Sequence, residues 1–269
     1  MFSFHNKVAV VTGAASGIGR ATSLALAAQG CDLALADLNE EGLAETARMI
    51  NAQGRKASIH LVDVSDKAAM QAFPEHVVAE HGRVNIIVNN AGVEITGSFE
   101  NQSIDDFEWI VGINLWGVVY GCKFFLPYLK SSGDGHIVNI SSMFGFYGLP
   151  AQSSYCATKF AVRGFTESLR IELKGSGVGV TCIHPGGINT NILKNARVQT
   201  KTSLLKTSAR LMKFATKPET VAGKIVSGIE KNKRRVRVGP DAYLSDWLVR
   251  LSPVGFNMLA TGARRMMGT

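Results

Sequence analysis

Seven short runs of β-branched and apolar residues recur along this 269-residue chain, and helix-length stretches separate most of them. They are Val8–Thr12, Asp32–Ala36, Ser58–Val62, Val84–Val88, His136–Ser141, Val178–Ile183 and Val236–Val238. The runs are too uniformly apolar for strands with one wet face, and the intervening lengths are those that parallel strands need for a crossover. This alternation predicts an α/β fold with a doubly wound parallel sheet and helices on both faces. Residues 197–217 are basic and Ser/Thr-rich and read as an insertion between strand and helix, suited to a lid. Pro218 followed by Glu219 predicts a helix start, because proline suits a first turn and an acid complements the helix dipole.

The first run leads directly into Thr12-Gly13-Ala14-Ala15-Ser16-Gly17-Ile18-Gly19, which in turn opens the helix-like stretch Arg20–Gln29. A turn poor in β-carbons lets backbone N–H groups approach a pyrophosphate, and the helix adds its positive N-terminal end. Asp37 closes the second run, 18 residues beyond Gly19. A carboxylate there can hydrogen-bond an adenosine ribose 2′-OH and repels a 2′-phosphate. Neither Ser16 nor Leu38 is a Lys or Arg that would neutralise such a phosphate. NAD is therefore the expected cofactor, with NADP as the alternative.

A second constellation is Tyr155-Cys156-Ala157-Thr158-Lys159, with Ser142 thirteen residues before the tyrosine. Tyr155 and Lys159 share a helix face at i and i+4. An adjacent ammonium is expected to stabilise the phenolate and bring a tyrosine towards a useful acid/base range. Ser142, at a strand end, is placed to hold a substrate oxygen against the phenol.

Together with Asn89-Asn90-Ala91-Gly92, Asn114 and Pro185-Gly186-Gly187-Ile188-Asn189-Thr190, these motifs resemble, in order and spacing, the short-chain dehydrogenase/reductase family in its compact form. The resemblance runs from residue 7 to about 190. It implies a Rossmann-type domain that binds the dinucleotide and carries the catalytic set; that domain is expected over 1–240 with a helical lid at about 191–217, and 241–269 is expected to be a C-terminal extension of it. Tyr155 is implied as the general acid/base, Lys159 as the charge that tunes it and holds the nicotinamide ribose, and Ser142 as the orienting hydroxyl. Asn114 is similar to an asparagine that positions a water in a proton relay to the lysine. Gly13, Ser16, Gly17, Ile18 and Gly19 are implied to cradle the pyrophosphate, and Asp63 and Val64 to contact adenine. Asn90, Ala91 and Gly92 would line the path to the nicotinamide, while Pro185, Gly186, Ile188 and Thr190 would hold its ring and carboxamide. Where the family more often has serine before the lysine this chain has Thr158, which keeps a hydroxyl.

Met143, Phe144, Phe146, Tyr147 and Leu149, with Val93, Ile95 and Phe99, follow the motif residues and suggest an apolar wall, although some of them can equally pack the core. That wall favours a lipophilic secondary alcohol, ketone or aldehyde as substrate. His184 reads as structural, since the Tyr/Lys/Ser set already supplies the proton chemistry. Cys31, Cys122, Cys156 and Cys182 lack metal-ligand spacing, so buried free thiols are expected and no metal site is suggested. Nothing at the start resembles a signal peptide and no long uncharged apolar window occurs, so a cytoplasmic protein is expected. A homodimer or homotetramer is implied by the resemblance, through helices at about 105–129 and 153–173 bearing Phe124, Phe125, Phe160 and Phe165.

Charge is uneven: residues 1–196 hold 14 Lys/Arg against 17 Asp/Glu, and residues 197–269 hold 15 against 4, giving a net +8 overall. Nucleic acid is not expected as a partner, because residues 197–239 offer a single aromatic, Phe214, among the charges. In the tail Tyr243, Trp247, Leu248 and Leu251 fall at near-helical spacing, with Phe256, Met258, Leu259, Met266 and Met267 beyond Pro253. The favoured expectation is docking on this subunit or a neighbour's. Peripheral contact with anionic lipid, and a basic lid that draws in an anionic substrate, stand as alternatives. A catalytically weak dinucleotide-binding sensor or scaffold is the alternative to an enzyme.

Overall fold

The computed structural model describes residues 2–189, 197–198 and 215–252. Seven parallel strands form the main sheet: β1 (Val8–Thr12), β2 (Asp32–Asp37), β3 (Ala57–Leu61), β4 (Ile86–Asn89), β6 (Gly135–Ile140), β7 (Val178–Pro185) and β9 (Arg235–Val238). Their order across the sheet is β3-β2-β1-β4-β6-β7-β9, so the winding reverses between β1 and β4. Each of the seven expected strands is present within a residue or two at its ends. A separate two-residue pair, β5 (Ile95–Thr96) with β8 (Arg197–Val198), was not foreseen, because so short a segment carries no periodic signal.

Successive strand residues point to opposite faces, and each face acquires its own core. Ala9, Val11, Leu33, Leu35, Val88 and Ile183 face helices α1 (Gly17–Ala28), α2 (Glu40–Asn51) and α7 (Pro218–Glu230). Val8, Val10, Ala34, Ile87, Ile137 and Val180 face α3 (Lys67–His81), α5 (Gly117–Ser131) and α6 (Ser153–Glu172). This two-sided burial is why the central strands β1, β2, β4, β6 and β7 read as continuous apolar runs, while the edge strands β3 and β9 are wetter. As expected, α7 begins at Pro218, with Glu219 in its first turn.

The helix expected over about 105–129 is divided. α4 (Ile104–Val111) passes into α5 through a π-helical turn, Gly112–Trp116, which holds Asn114 fully buried. The span Ile104–Ser131 is long and apolar enough to cross a membrane by length and composition. Here Val118, Cys122, Phe125 and Leu129 from that span lie in the core. All four cysteines are free and buried, as expected, and burial pushes the thiols of Cys31, Cys122 and Cys182 up to about 12.

The last described helix, α8 (Pro240–Leu251), is oriented by one buried carboxylate. Asp246 meets Arg235 at 3.2 Å, Arg237 at 2.8 Å and Arg250 at 3.0 Å. Arg235 also bonds Glu167 on α6 at 2.7 Å. Part of the basic excess is thus neutralised inside the fold. Because Asp246, Ala242 and Ser245 face inward, Tyr243, Trp247 and Leu251 of the expected apolar stripe face outward, each about half exposed or more. The lid expected at 191–217 lies outside the described residues except for 197–198 and 215–217. The tail residues from Pro253 onwards, with Phe256, Met258, Leu259, Met266 and Met267, lie outside them too.

Two histidines are buried neutral. Burial drives His136, which bonds the Thr181 hydroxyl at 2.9 Å, down to about 3. His184, whose Nδ1 bonds the Ser142 carbonyl at 3.1 Å, is driven down to about 4 by the same cause. An unfolded histidine takes its proton near pH 6.5 while these two resist it, so the unfolded state binds more protons as pH falls. Stability should therefore be lost between about pH 6.5 and pH 4, by about 1.4 kcal/mol per pH unit for each such histidine. Urea midpoints measured from pH 7 to pH 4.5 check this, and His136→Gln should flatten the slope. A midpoint that does not move over that range would contradict it.

Candidate active site

The site forms at the carboxyl ends of β1 and β4, where the winding reverses and a crevice opens. Its frame is a tie between two turns. The Thr12 hydroxyl accepts the backbone N–H groups of Asn90 and Ala91, both at 3.0 Å. In return the Asn90 side-chain amide donates to the carbonyls of Thr12 at 2.8 Å and Gly13 at 3.2 Å. Packing here excludes β-carbons: one on Gly19 would lie 1.9 Å from the Gly13 carbonyl, and one on Gly13 would lie 2.8 Å from the Asn90 amide. Gly13 and Gly17 also have positive φ, +66° and +55°.

These residues fit a dinucleotide pyrophosphate. α1 starts after Ser16 with no capping side chain and no acid in its first turn, whereas Asn39, Asp66 and Ser103 cap α2, α3 and α4. Its leading N–H groups and Ile18 thus front the glycine turn ready for an anion. Asp37 stands beside it at the end of β2. The Asp37 carboxylate accepts from the backbone N–H groups of Ala15 at 3.1 Å, Leu38 at 2.8 Å and Asn39 at 3.1 Å. Arg20 is committed elsewhere, to Glu45 at 2.7 Å, the Thr46 hydroxyl at 3.0 Å and the Ala15 carbonyl at 2.5 Å. Asp63 is exposed and accepts from the Ser65 hydroxyl at 2.7 Å, while Val64 is buried against Gly117.

The residues expected to carry the proton transfer lie just after β6 and on α6. Ser142 follows β6, and its hydroxyl hydrogen-bonds the Tyr155 side chain and accepts the Phe144 N–H at 3.2 Å. One turn of α6 beyond Tyr155, Lys159 is buried. Its Nζ donates to the Ile140 carbonyl at 3.1 Å and sits 5.6 Å from the centre of the Tyr155 ring. A β-carbon on Gly92 would come 3.5 Å from that Nζ. Asn114 spends its side chain on Val93, accepting its N–H at 2.8 Å and donating to its carbonyl at 2.9 Å. It also reaches the Thr158 hydroxyl at 3.3 Å, so the hydroxyl kept at that position is used. Pro185 ends β7; the Gly186 N–H donates to the Val238 carbonyl at 2.8 Å and the Gly187 N–H to the Asp241 carboxylate at 2.6 Å. Ile188 is buried and bridges to Thr216. Thr190 lies outside the described residues.

One expectation is reversed. Burial pushes the Tyr155 phenol above its usual range, the Glu94 carboxylate pushes it further, and the Ser142 bond opposes them. Burial outweighs any help from Lys159 at this phenol, and the same burial brings the Lys159 ammonium down to about 8. Glu94 was missed by the sequence reading. It is buried between Val93 and Ile95, where burial raises its carboxyl. A lone charge in the apolar run after Gly92 was the available signal.

The apolar wall is smaller than expected. Phe144 lies edge-on to Tyr155 with centroids 6.2 Å apart, and Val93, Ile95, Trp109 and Ile110 gather around the same ring. Phe146 instead packs on His184 at 4.4 Å, and Phe99 points outward. His184 has the structural role expected of it, bracing Ser142 from behind.

Comparison with known proteins gives a consistent result. The family model described as short chain dehydrogenase matches residues 7–201. SadH of Mycobacterium tuberculosis, named as an oxidoreductase, is 44% identical over 96% of this chain and 95% of its own length. The 3-oxoacyl-[acyl-carrier-protein] reductase FabG of Thermotoga maritima is 33% identical over 81% of this chain and 88% of its own. A crystal structure of a short-chain dehydrogenase/reductase from Burkholderia phymatum in complex with NAD superposes with a TM-score of 0.86 at 31% identity, covering 94% of this chain and 95% of that one.

The tie at Thr12 has a measurable consequence. Thr12→Val keeps the shape but leaves the Asn90 and Ala91 N–H groups without their acceptor, at a cost of about 2 kcal/mol or more. Denaturant unfolding should show that loss, with Thr12→Ser close to wild type. Equal stability of Thr12→Val and wild type would remove the tie from the account.

Proposed function

The chain belongs to the short-chain dehydrogenase family, and within it we propose an NAD(H)-dependent oxidoreductase that interconverts a secondary alcohol with its ketone, or an aldehyde with its alcohol. The reading is carried by one observation: Ser142, Tyr155 and Lys159 converge beside a glycine turn fit for a dinucleotide. A bound nicotinamide would accept or supply the hydride. Tyr155 would give a proton to the carbonyl oxygen in reduction and take it back in oxidation. Ser142 would hold that oxygen against the phenol, and Lys159 would bind the nicotinamide ribose. Asn114, through Val93, fixes the strand end that faces Lys159. The apolar ring of Phe144, Trp109, Val93 and Ile95 supports a lipophilic substrate.

Preference for NAD over NADP is supported by Asp37, whose carboxylate is held by three backbone N–H groups with acceptor capacity left, and by the commitment of Arg20 to other partners. We read the protein as a cytoplasmic homo-oligomer. Trp116, Tyr120 and Phe124 stack in a row along the π turn and α5, with centroids 5.6 Å and 5.8 Å apart, and Trp116 and Phe160 are 48% and 40% exposed. Phe125 by contrast is core, and Phe165 packs against it.

Tyr155→Phe should abolish turnover while leaving dinucleotide affinity within about threefold, because it removes only the transferable proton. A variant that keeps more than roughly a tenth of the wild-type rate would remove Tyr155 from the chemistry, since such catalysis contributes about 10²–10⁴-fold. Asp37→Ala combined with Leu38→Arg should shift kcat/KM from NADH towards NADPH. A wild-type preference for NADPH would overturn the cofactor reading. Light scattering at micromolar concentration should give a dimer or tetramer mass, and a monomer mass would reject the assembly.

A further inference from the structure

Glu94 and Gln152 meet beside Tyr155, and neither is assigned a proton to give or take in the reaction above. Both are 7% exposed. Gln152 Nε2 donates to Glu94 Oε1 at 2.7 Å and to the Thr96 hydroxyl at 3.0 Å. That hydroxyl faces Glu94 Oε1 at 3.5 Å, which closes a triangle. Gln152 immediately precedes α6, yet its side chain does not cap the helix and crosses to β5 instead. Ala151, just before it, sits at φ +62°, where a residue with a β-carbon is strained by about 1–2 kcal/mol. Its carbonyl is clamped by the Gly97 N–H at 3.0 Å. The backbone on both sides thus holds the pair together.

A donor and acceptor inventory gives the pair a direction. Chemistry fixes the Gln152 amide, because its carbonyl would be repelled by a carboxylate placed against it. Both amide N–H bonds are then spent on Glu94 and Thr96. What remains is acceptor: Gln152 Oε1, buried and without a partner among the described residues, and the second Glu94 oxygen. A buried acceptor without a donor costs about 1–3 kcal/mol, so a donor brought by a ligand is favoured there. Val93 and Ile95, which flank Glu94, pack in one cluster with Tyr155, and Gln152 lies three residues before that tyrosine at the start of α6. Apolar Val93, Ile95, Ile110 and Phe144 surround the same tyrosine, so the pair is a polar spot in a greasy wall.

We propose that Glu94 and Gln152 form a substrate subsite beside Tyr155 that receives a second hydroxyl, one or two carbons from the reacting carbinol. The preferred substrates are then diols, or the corresponding hydroxy ketones, on an apolar frame. This rests on the oxidoreductase reading above and adds to it a required donor on the substrate.

The test compares cyclohexanol, cyclohexane-1,2-diol, cyclohexane-1,3-diol and 2-methoxycyclohexanol with wild type, Glu94→Gln and Glu94→Leu. Two quantities are read: kcat/KM with NAD, and the dissociation constant of each compound from the NADH-loaded protein by NADH fluorescence. Wild type should favour at least one diol over cyclohexanol by roughly tenfold to a hundredfold, the range for a hydrogen bond to a charged group. The methyl ether has the oxygen but no donor, so it should fall back towards cyclohexanol. Glu94→Gln places N–H groups where an acceptor stood and should bring the diol ratio to within about threefold, as should Glu94→Leu. Each ratio is internal to one protein, so a general loss of folding does not alter it. A methyl ether equal to the diols, or a diol preference unchanged in Glu94→Gln, overturns the subsite. If no compound is turned over by any form, the oxidoreductase reading fails on these alcohols, and the binding ratios still decide the subsite.

Discussion

The site depends on the exchange of hydrogen bonds between Thr12 and Asn90. Parallel strands end in a row of turns with nothing in the ladder to fix one turn against the next. Here the Thr12 hydroxyl takes two N–H groups from the turn after β4, and Asn90 returns two bonds to the turn after β1. The glycine turn can then approach so closely that a β-carbon at Gly19 has no room. The place where the sheet reverses its winding becomes a fixed cradle, and the uncapped start of α1 faces it.

Behind that cradle, buried polar groups pass order from strand to helix. The Asn89 amide donates to Asn139 at 2.8 Å, and the Asn139 amide donates to the Thr166 hydroxyl at 3.0 Å, linking β4, β6 and α6. The Ser141 hydroxyl bonds the Lys159 carbonyl at 2.8 Å, and the Lys159 ammonium returns to Ile140. Tyr155 and Lys159 therefore inherit their positions from β6 as well as from their own helix. At the far edge, Asp246 gathers three arginines and docks α8. On the same helix Asp241 holds Gly187, after β7.

How much of this was legible in the sequence follows from what each feature requires. Strands buried on both faces announce themselves as apolar runs, and the glycine turn and Asp37 stand at fixed places relative to them. Tyr155, Lys159 and Ser142 were legible by their spacing and by resemblance. The π turn at Gly112–Trp116 was not, since one extra residue within a helical repeat leaves the apolar pattern almost intact. Glu94 and Gln152 lie 58 residues apart and meet through tertiary packing alone. The direction of the Tyr155 shift was misread for the same reason: i, i+4 spacing gives a neighbour's charge but not the desolvation that outweighs it. In the basic last quarter, composition could not show that Arg235, Arg237 and Arg250 converge on one buried acid, Asp246.

The account stands or falls on whether this cradle and this tyrosine carry out hydride chemistry. The most direct measurement is absorbance at 340 nm when the full chain is mixed with NAD and a graded panel of secondary alcohols, and with NADH and the matching ketones. The account expects a time-dependent rise with the alcohols and a fall with the ketones, strongest for members with an apolar frame. A flat trace with every member, in protein shown by calorimetry to bind NAD, would contradict it and leave a dinucleotide-binding protein without this chemistry.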